Sequence, residues 1–255
     1  MIVCKFGGTS VASAEQIKKV ASIVKTNPER KIVAVSAPGK RSSDDVKVTD
    51  LLIELAEAVL SNGKVEEKLQ NVVSRFKAIT EELELGEEIL QVIENDLRER
   101  IEGDRSNAVL FTDSLKAAGE DNNAKLIAAY FNTVGIAEKY VSPKDGLIVN
   151  DLPERTYALP EAYENLSKLK DEKKVIVFPG FFGYTKNGLL RTFDRGGSDI
   201  TGSILAAAVN ADLYENFTDV DCVFAANPRV VNDPCAISEI TYREMRELSY
   251  AWFSV

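Results

Sequence analysis

An α/β fold with a parallel sheet is what this sequence predicts, and three observations carry the prediction. A strand, a helix and a second strand succeed one another within the first 36 residues, the order of a βαβ unit. Short apolar runs resume at 147–149, 174–179 and 212–217, with helical patterns between them. The stretch 49–133 is strongly helical and charged, yet neither a linker nor an internal repeat sets it apart. It therefore reads as a helical lobe of the same domain.

The elements follow in order. Ile2 to Phe6 is an apolar run ending at Gly7-Gly8, a buried strand entering a tight loop. Ser13 opens a capping box with Gln16, and Ile17, Val20, Ala21 and Val24 recur at helical spacing until Asn27-Pro28 stops them. Lys31 to Ser36 is the second strand, ended by Ala37-Pro38-Gly39. Leu51, Leu52, Leu55, Ala56 and Val59 form one apolar stripe closed by Asn62-Gly63, and two helices are expected on either side of Gly86. A helical pair is expected over 107–133, broken at Gly119. Pro160 to Leu169 is a further helix and 180–195 a glycine-punctuated hairpin or loop. Ser198 to Val209 is a small-residue helix, and Thr241 to Trp252 a last one.

Composition narrows the chemistry. The chain has 255 residues, 45% hydrophobic and 28% charged, enough for a buried core. A formal charge of −9 argues against nucleic acid or an anionic membrane surface as the main partner. No apolar run is long enough to span a membrane, and the N-terminus lacks the layout of a signal peptide. Cys4, Cys222 and Cys235 are odd in number and lack metal-ligand spacing, so they read as reduced thiols of a cytoplasmic protein. Histidine is absent. That removes the commonest general base, Ser-His-Asp nucleophiles and most zinc sites. Phosphoryl transfer fits the restriction, because it rests on positioning and charge stabilisation. A carboxylate acceptor fits best, being ionised at neutral pH without a base.

Several segments could carry such chemistry. In Lys5-Phe6-Gly7-Gly8-Thr9-Ser10 the paired glycines would let backbone N–H groups reach phosphate oxygens. Lys5 is an odd cation for the end of a buried strand unless it faces a ligand; a plain turn with Lys5 reaching solvent is the bland alternative. No Walker pattern is present. Arg195-Gly196-Gly197-Ser198-Asp199 stands directly before an apolar helix, whose N-terminus offers amides and a positive dipole end, and Arg195 adds a fork suited to a carboxylate. Capping by Ser198 or Asp199 is the simpler alternative. Phe217-Thr218-Asp219-Val220-Asp221 ends a parallel strand where a ligand should lie, or forms an Asx turn. Gly119-Glu120-Asp121-Asn122-Asn123 is a ligand-facing cluster or only a helix junction.

Taken together, these segments resemble the catalytic domain of the aspartokinases, in the amino acid kinase family, over essentially the whole chain. The most specific element is Lys5-Phe6-Gly7-Gly8-Thr9-Ser10-Val11. Val35-Ser36-Ala37, Val48-Thr49-Asp50-Leu51-Leu52, Gly119-Glu120, Arg195 to Asp199 and Thr218-Asp219-Val220 look like the family's later motifs, in the family's order. The resemblance implies an open, mainly parallel sheet sandwiched by helices. It implies one catalytic domain over 1–255, with the helical lobe at 49–133 and a nucleotide-binding half at 174–255. It also implies ATP-dependent phosphorylation of the L-aspartate side chain, with Mg2+ on the phosphates and few direct protein ligands. Lys5 and Asp199 would be the catalytic pair, with Gly7, Gly8 and Ser10 around the phosphoryl group. Ser36, Thr49, Glu120, Phe181, Arg195 and Ser198 would hold the amino acid, Arg195 taking its α-carboxylate and Glu120 its ammonium. Thr218, Asp219, Phe224 and Arg229 would face the nucleotide.

The chain also departs from the family pattern. Asp221-Cys222 and Phe224 stand where many members carry Pro-Gly and Tyr, and Ser254 where many carry a nucleotide-contacting Lys. The ACT regulatory domains usual in the family are not expected within these 255 residues. Two other readings compete: a family relative acting on another carboxylate or phosphate acceptor, and a nucleotide-binding module without turnover. Tyr250, Trp252 and Phe253 suit a homo-oligomer contact or, more simply, packing of the last helix on its own domain.

Overall fold

The apolar run at the start of the chain is β1 (Ile2–Phe6), buried along its whole length. It leads through a 3-10 turn, Gly8–Val11, into α1 (Ala14–Thr26), where Ser13 caps the helix by accepting the Gln16 N–H at 3.4 Å and Asn27 ends it. After β2 (Arg30–Val35) come four helices, α2 (Val48–Leu60), α3 (Val65–Glu82), α4 (Glu87–Ile101) and α5 (Ala108–Thr133). Next are β3 (Glu138–Tyr140), β4 (Ile148–Val149), α6 (Pro160–Ser167), β5 (Val175–Pro179), β6 (Phe182–Thr185) and β7 (Leu190–Thr192). With α7 (Gly197–Val209) and β8 (Leu213–Phe217) they complete the first of the two units into which the chain divides, Met1–Phe217. The computed structural model describes residues 1–152, 154–194, 196–218, 222–226 and 230–250.

The main sheet has the order β3-β5-β2-β1-β8, and every neighbouring pair is parallel. Side chains alternate between its two faces. Cys4, Phe6, Val33, Val35 and Val177 join a core with α1 to α5, while Val3, Ile32, Ala34, Ile176 and Phe178 pack with α6 and α7. Helices cover both faces, which is why the strands read as unbroken apolar runs rather than alternating ones. Phe6, Phe76, Phe131 and Phe178 are fully buried, each contributing about 1.5–3 kcal/mol of hydrophobic stabilisation. The rings of Phe6 and Phe217 stack at 4.7 Å where β1 pairs with β8. A second small sheet, β4-β6-β7, contains the antiparallel β6–β7 hairpin expected over 180–195.

One expectation is corrected. The stretch 107–133 is not a broken pair but one helix of 26 residues, with Gly119 inside it. A Cβ at Gly119 would come to 2.8 Å from the Ala37 Cβ and 3.1 Å from Leu52 Cδ1. The glycine lets α5 approach α2 and the loop leaving β2, and that packing outweighs the roughly 1 kcal/mol that a helix-interior glycine costs.

The second unit, Thr218–Val255, holds an antiparallel hairpin of β9 (Val223–Phe224) and β10 (Ala236–Ile237), then α8 (Tyr242–Tyr250). The expected last helix is therefore described to Tyr250, and Trp252, Phe253 and Ser254 lie outside the described residues. Strands as short as β3, β9 and β10 leave no readable period-2 pattern. Among the described residues no helix is long and apolar enough to cross a membrane.

Candidate active site

Because β5, β2, β1 and β8 are parallel neighbours, their C-terminal ends open on one edge, the position where open α/β sheets bind ligands. Lys5 is the one charged residue of β1 and lies on the face shared with Val3. Its Nζ stands 2.8 Å from Oδ1 of Asp199 in the first turn of α7. Asn216, the register partner of Lys5 on β8, donates its Nδ2–H to the same oxygen at 2.9 Å. The lysine side chain is only 8% exposed, whereas the carboxylate is 40% exposed. A cation sheltered in a poorly solvating site, with one half-exposed partner, attracts an incoming anion far more strongly than a surface lysine does.

The loop after β1 narrows an expectation. The Gly7 N–H is committed to the Phe217 carbonyl at 3.1 Å, so it continues the β1–β8 ladder and is not a free phosphate donor. What Gly7 offers is space, since a Cβ there would stand 3.5 Å from the Lys5 nitrogen. Gly8 and Thr9 open the 3-10 turn, at positions whose amides the turn itself leaves unpaired. Ser10, half-buried, donates its N–H to the Gly7 carbonyl at 2.9 Å. Gly39, from the loop after β2, lies against this turn. Its N–H donates to the Gly8 carbonyl at 2.8 Å, and a Cβ on Gly39 would come within 2.6 Å of the Gly8 carbonyl carbon. Only glycine permits two backbones to meet so closely.

The same loop frames the acceptor side. Ser36 donates its N–H to the Phe6 carbonyl at 3.2 Å, and its own carbonyl accepts the Asn123 Nδ2–H at 2.7 Å. Val48 donates to the Pro38 carbonyl at 3.1 Å, which starts α2 and sets the half-buried Thr49 in its first turn. Glu120 follows Gly119 on α5 and is buried, and its Oε2 has no hydrogen-bond partner. Burial pushes its carboxyl up to about 8, against the opposing pull of the Ala37 N–H and the Lys116 charge. An interior carboxyl in this state suits a cationic ligand that would replace lost hydration.

Phe181, directly after β5, has a φ of +78°, a region that a bulky residue occupies only under constraint. The constraint is visible. Its N–H donates to Thr201 Oγ1 at 3.0 Å, its carbonyl accepts the Phe193 N–H at 2.7 Å, and Lys116 Nζ lies 5.7 Å from the ring centre. Lys116 in turn pairs with Asp113 at 2.7 Å, and Asp113 accepts the Thr192 hydroxyl at 2.9 Å. Ser198 is buried in the first turn of α7, packed onto the Gly180 backbone.

Lys5, Gly7, Gly8, Asp199 and Asn216 thus form one cluster, and Ser36, Thr49 and Glu120 frame the loop beside it. Arg195, Asp219 and Arg229 lie outside the described residues. Thr218 and Phe224 belong to the second unit, with Phe224 pairing Ala236 in the β9–β10 hairpin. Sequence reasoning missed Asn216 and Lys116. Strand alternation could have found Asn216, a polar residue two positions beyond Tyr214 on the same face. Lys116 sits one helical turn before Glu120, a signal hidden by the expected break at Gly119.

The model of the amino acid kinase family matches residues 1–253. Aspartokinase 3 of Bacillus subtilis is 56% identical over 256 residues, covering 100% of this chain and 56% of that protein. The crystal structure of the Clostridium acetobutylicum aspartate kinase superposes with a TM-score of 0.85 at 36% identity, over 98% of this chain and 54% of that one. E. coli aspartokinase III in complex with aspartate and ADP gives 0.83 at 26% identity, over 98% and 56%. The chain spans about half the length of the curated relatives it matches.

Proposed function

Since this chain belongs to the amino acid kinase family, we propose that it transfers the γ-phosphoryl group of ATP to the side-chain carboxylate of L-aspartate, forming 4-phospho-L-aspartate. This is the first step toward lysine, threonine and methionine. The observation that carries the reading is the buried Glu120 carboxyl with a partnerless oxygen, placed beside the loop that meets the Lys5–Asp199 pair. An amino acid supplies the ammonium that such a carboxylate needs; a nucleoside monophosphate does not.

In this reaction Glu120 takes the α-ammonium and Arg195 the α-carboxylate, and Phe181 and Ser198 shape the pocket. Ser36 and Thr49 hold the reacting carboxylate, which attacks phosphorus without a general base. Lys5 and the Gly8 amide stabilise the charge spread over the transferring group. Asp199, itself held by Asn216, fixes the lysine, Gly7 keeps the space above it clear, and Ser10 supports the turn. The family pattern assigns the nucleotide to Thr218, Asp219, Phe224 and Arg229. Mg2+ would be held mainly by the ATP phosphates, with few direct protein ligands; Asp199 is the half-exposed carboxylate of the Lys5 cluster. The ion's contribution would be to neutralise phosphate charge. The enzyme would act in the cytoplasm, alone or as a homo-oligomer.

The test is trapping of the acyl phosphate with hydroxylamine in the presence of magnesium-ATP. L-Aspartate should give hydroxamate, and glutamate, N-acetylglutamate and a nucleoside monophosphate should not. Equal or greater hydroxamate with another acceptor, or none with aspartate, would refute the assignment.

A further inference from the structure

Arg75 is an arginine among the buried apolar side chains of α3, which include Val72, Phe76 and Ile79. Its guanidinium leaves that helix to hold the loop between β2 and α2. Nη1 donates to both oxygens of Asp45, at 3.0 and 2.9 Å, and to the Val46 carbonyl at 2.7 Å. Nη2 donates to the Gly39 carbonyl at 3.0 Å. Asp45 is gripped from the other side by Arg41, through its backbone N–H at 2.9 Å and its guanidinium at 2.8 and 3.0 Å. Gly39 is the residue whose backbone lies against Gly8. A short path of direct contacts therefore runs from α3, through Arg75 and Gly39, to the turn beside Lys5.

We propose that Arg75 is a positioning residue for phosphoryl transfer, fixing the Gly39 turn and with it the place of the Gly8 backbone. The proposal rests on the reading of function given above. A fork is needed for this task. Lysine could pair with Asp45, but a single ammonium cannot reach the Asp45 carboxylate and the Gly39 and Val46 carbonyls in the same geometry. Glu120 lies on α5, outside this clamp, and keeps its place for the ammonium, while Ser36 and Thr49 flank the clamped loop, so loosening the clamp should displace the reacting groups more than it weakens capture of the amino acid.

The experiment compares wild type, Arg75→Met and Arg75→Lys by hydroxamate kinetics, thermal melting and limited trypsin digestion. Both variants should lose kcat by about 10- to 100-fold, the order expected when reacting groups are misplaced by around an ångström, with a smaller rise in KM for aspartate through Ser36 and Thr49. Arg75→Lys should melt close to wild type and still keep the kcat defect, which separates positioning from mere stability. Trypsin should cut faster at Lys40 and Arg41 in both variants. Full kcat in Arg75→Lys would overturn the proposal, as would a loss of activity that tracks only the unfolded fraction. If wild type yields no hydroxamate, the functional reading fails by itself. The role of Arg75 is then read from magnesium-ADP affinity by calorimetry and from trypsin rates, and values equal to wild type in both variants would overturn it.

Discussion

Glu120 offers a direct test of how burial governs the acceptor pocket. Its carboxyl keeps a proton in the folded chain up to about pH 8, whereas its ordinary value is 4.5. Between those limits the native state binds more protons than the unfolded chain, so stability must fall as pH rises. Each pH unit in that window removes about 1.4 kcal/mol. From pH 6 to pH 8 the ligand-free protein should therefore lose about 2–3 kcal/mol through this group, or roughly 5–10 °C in Tm for a chain of this size. Glu120→Gln keeps the shape and an acceptor oxygen, but has no proton to release. Its Tm should match or fall below wild type at pH 5 and exceed it by several degrees at pH 8.5. Melting by circular dichroism, in buffers whose pH is insensitive to temperature, reads the difference, and other titrating groups cancel between the two proteins. Parallel Tm–pH curves would refute the argument. Added L-aspartate should narrow the gap at high pH, since its ammonium supports the ionised wild-type carboxylate and not the amide.

Further predictions concern the cluster and the frame around it. Lys5→Met should lower kcat by about 100- to 1,000-fold, the typical effect of removing one charge-stabilising donor, with an unchanged far-ultraviolet spectrum; Asp199→Asn should lower it less, because the amide oxygen can still accept from the lysine, which β1 keeps in place. Gly39→Ala places a Cβ within 2.6 Å of the Gly8 backbone, and the overpacking should cost about 1–3 kcal/mol in urea denaturation together with a loss of kcat. Away from the site, Asp121 accepts from Arg100 at 2.8 Å, from Lys125 at 2.9 Å and from the Tyr140 hydroxyl. Asp121→Asn should destabilise by about 1–3 kcal/mol, because Arg100 keeps its fork on Asp96, at 2.8 and 3.2 Å, but loses one charged acceptor, without changing KM for aspartate.

Most of the first unit was legible because its signals are local. Ser13 with Gln16, Asn27-Pro28 and Gly86 mark helix ends, and β1, β2 and β5 are apolar runs that a doubly covered sheet demands. Gly119 misled because its reason is not local: it answers to Ala37 and Leu52, distant in sequence, which no periodicity can display. Lys5 and Asp199 were legible as unusual residues in known kinds of place, but Asn216 was not, since its meaning depends on β8 lying next to β1. Arg75 was invisible for a related reason. An arginine on an amphipathic helix ordinarily reads as a solvated face, and only the folded loop shows what its fork holds.

The alternation along β1 has a consequence for how this strand tolerates change. Ile2, Cys4 and Phe6 belong to one core, and Val3 shares the other face with Lys5. Adding or removing one residue ahead of Lys5 would exchange the two sets. The ammonium would then be driven into the apolar core that Cys4 and Phe6 share with α1 to α5, and an aromatic ring would be offered to Asp199. Substitutions in β1 can be graded by size and charge, but a change in residue count cannot be graded at all. The proposed chemistry and the fold therefore depend on the same spacing, and a length polymorphism in these first residues would strike both together.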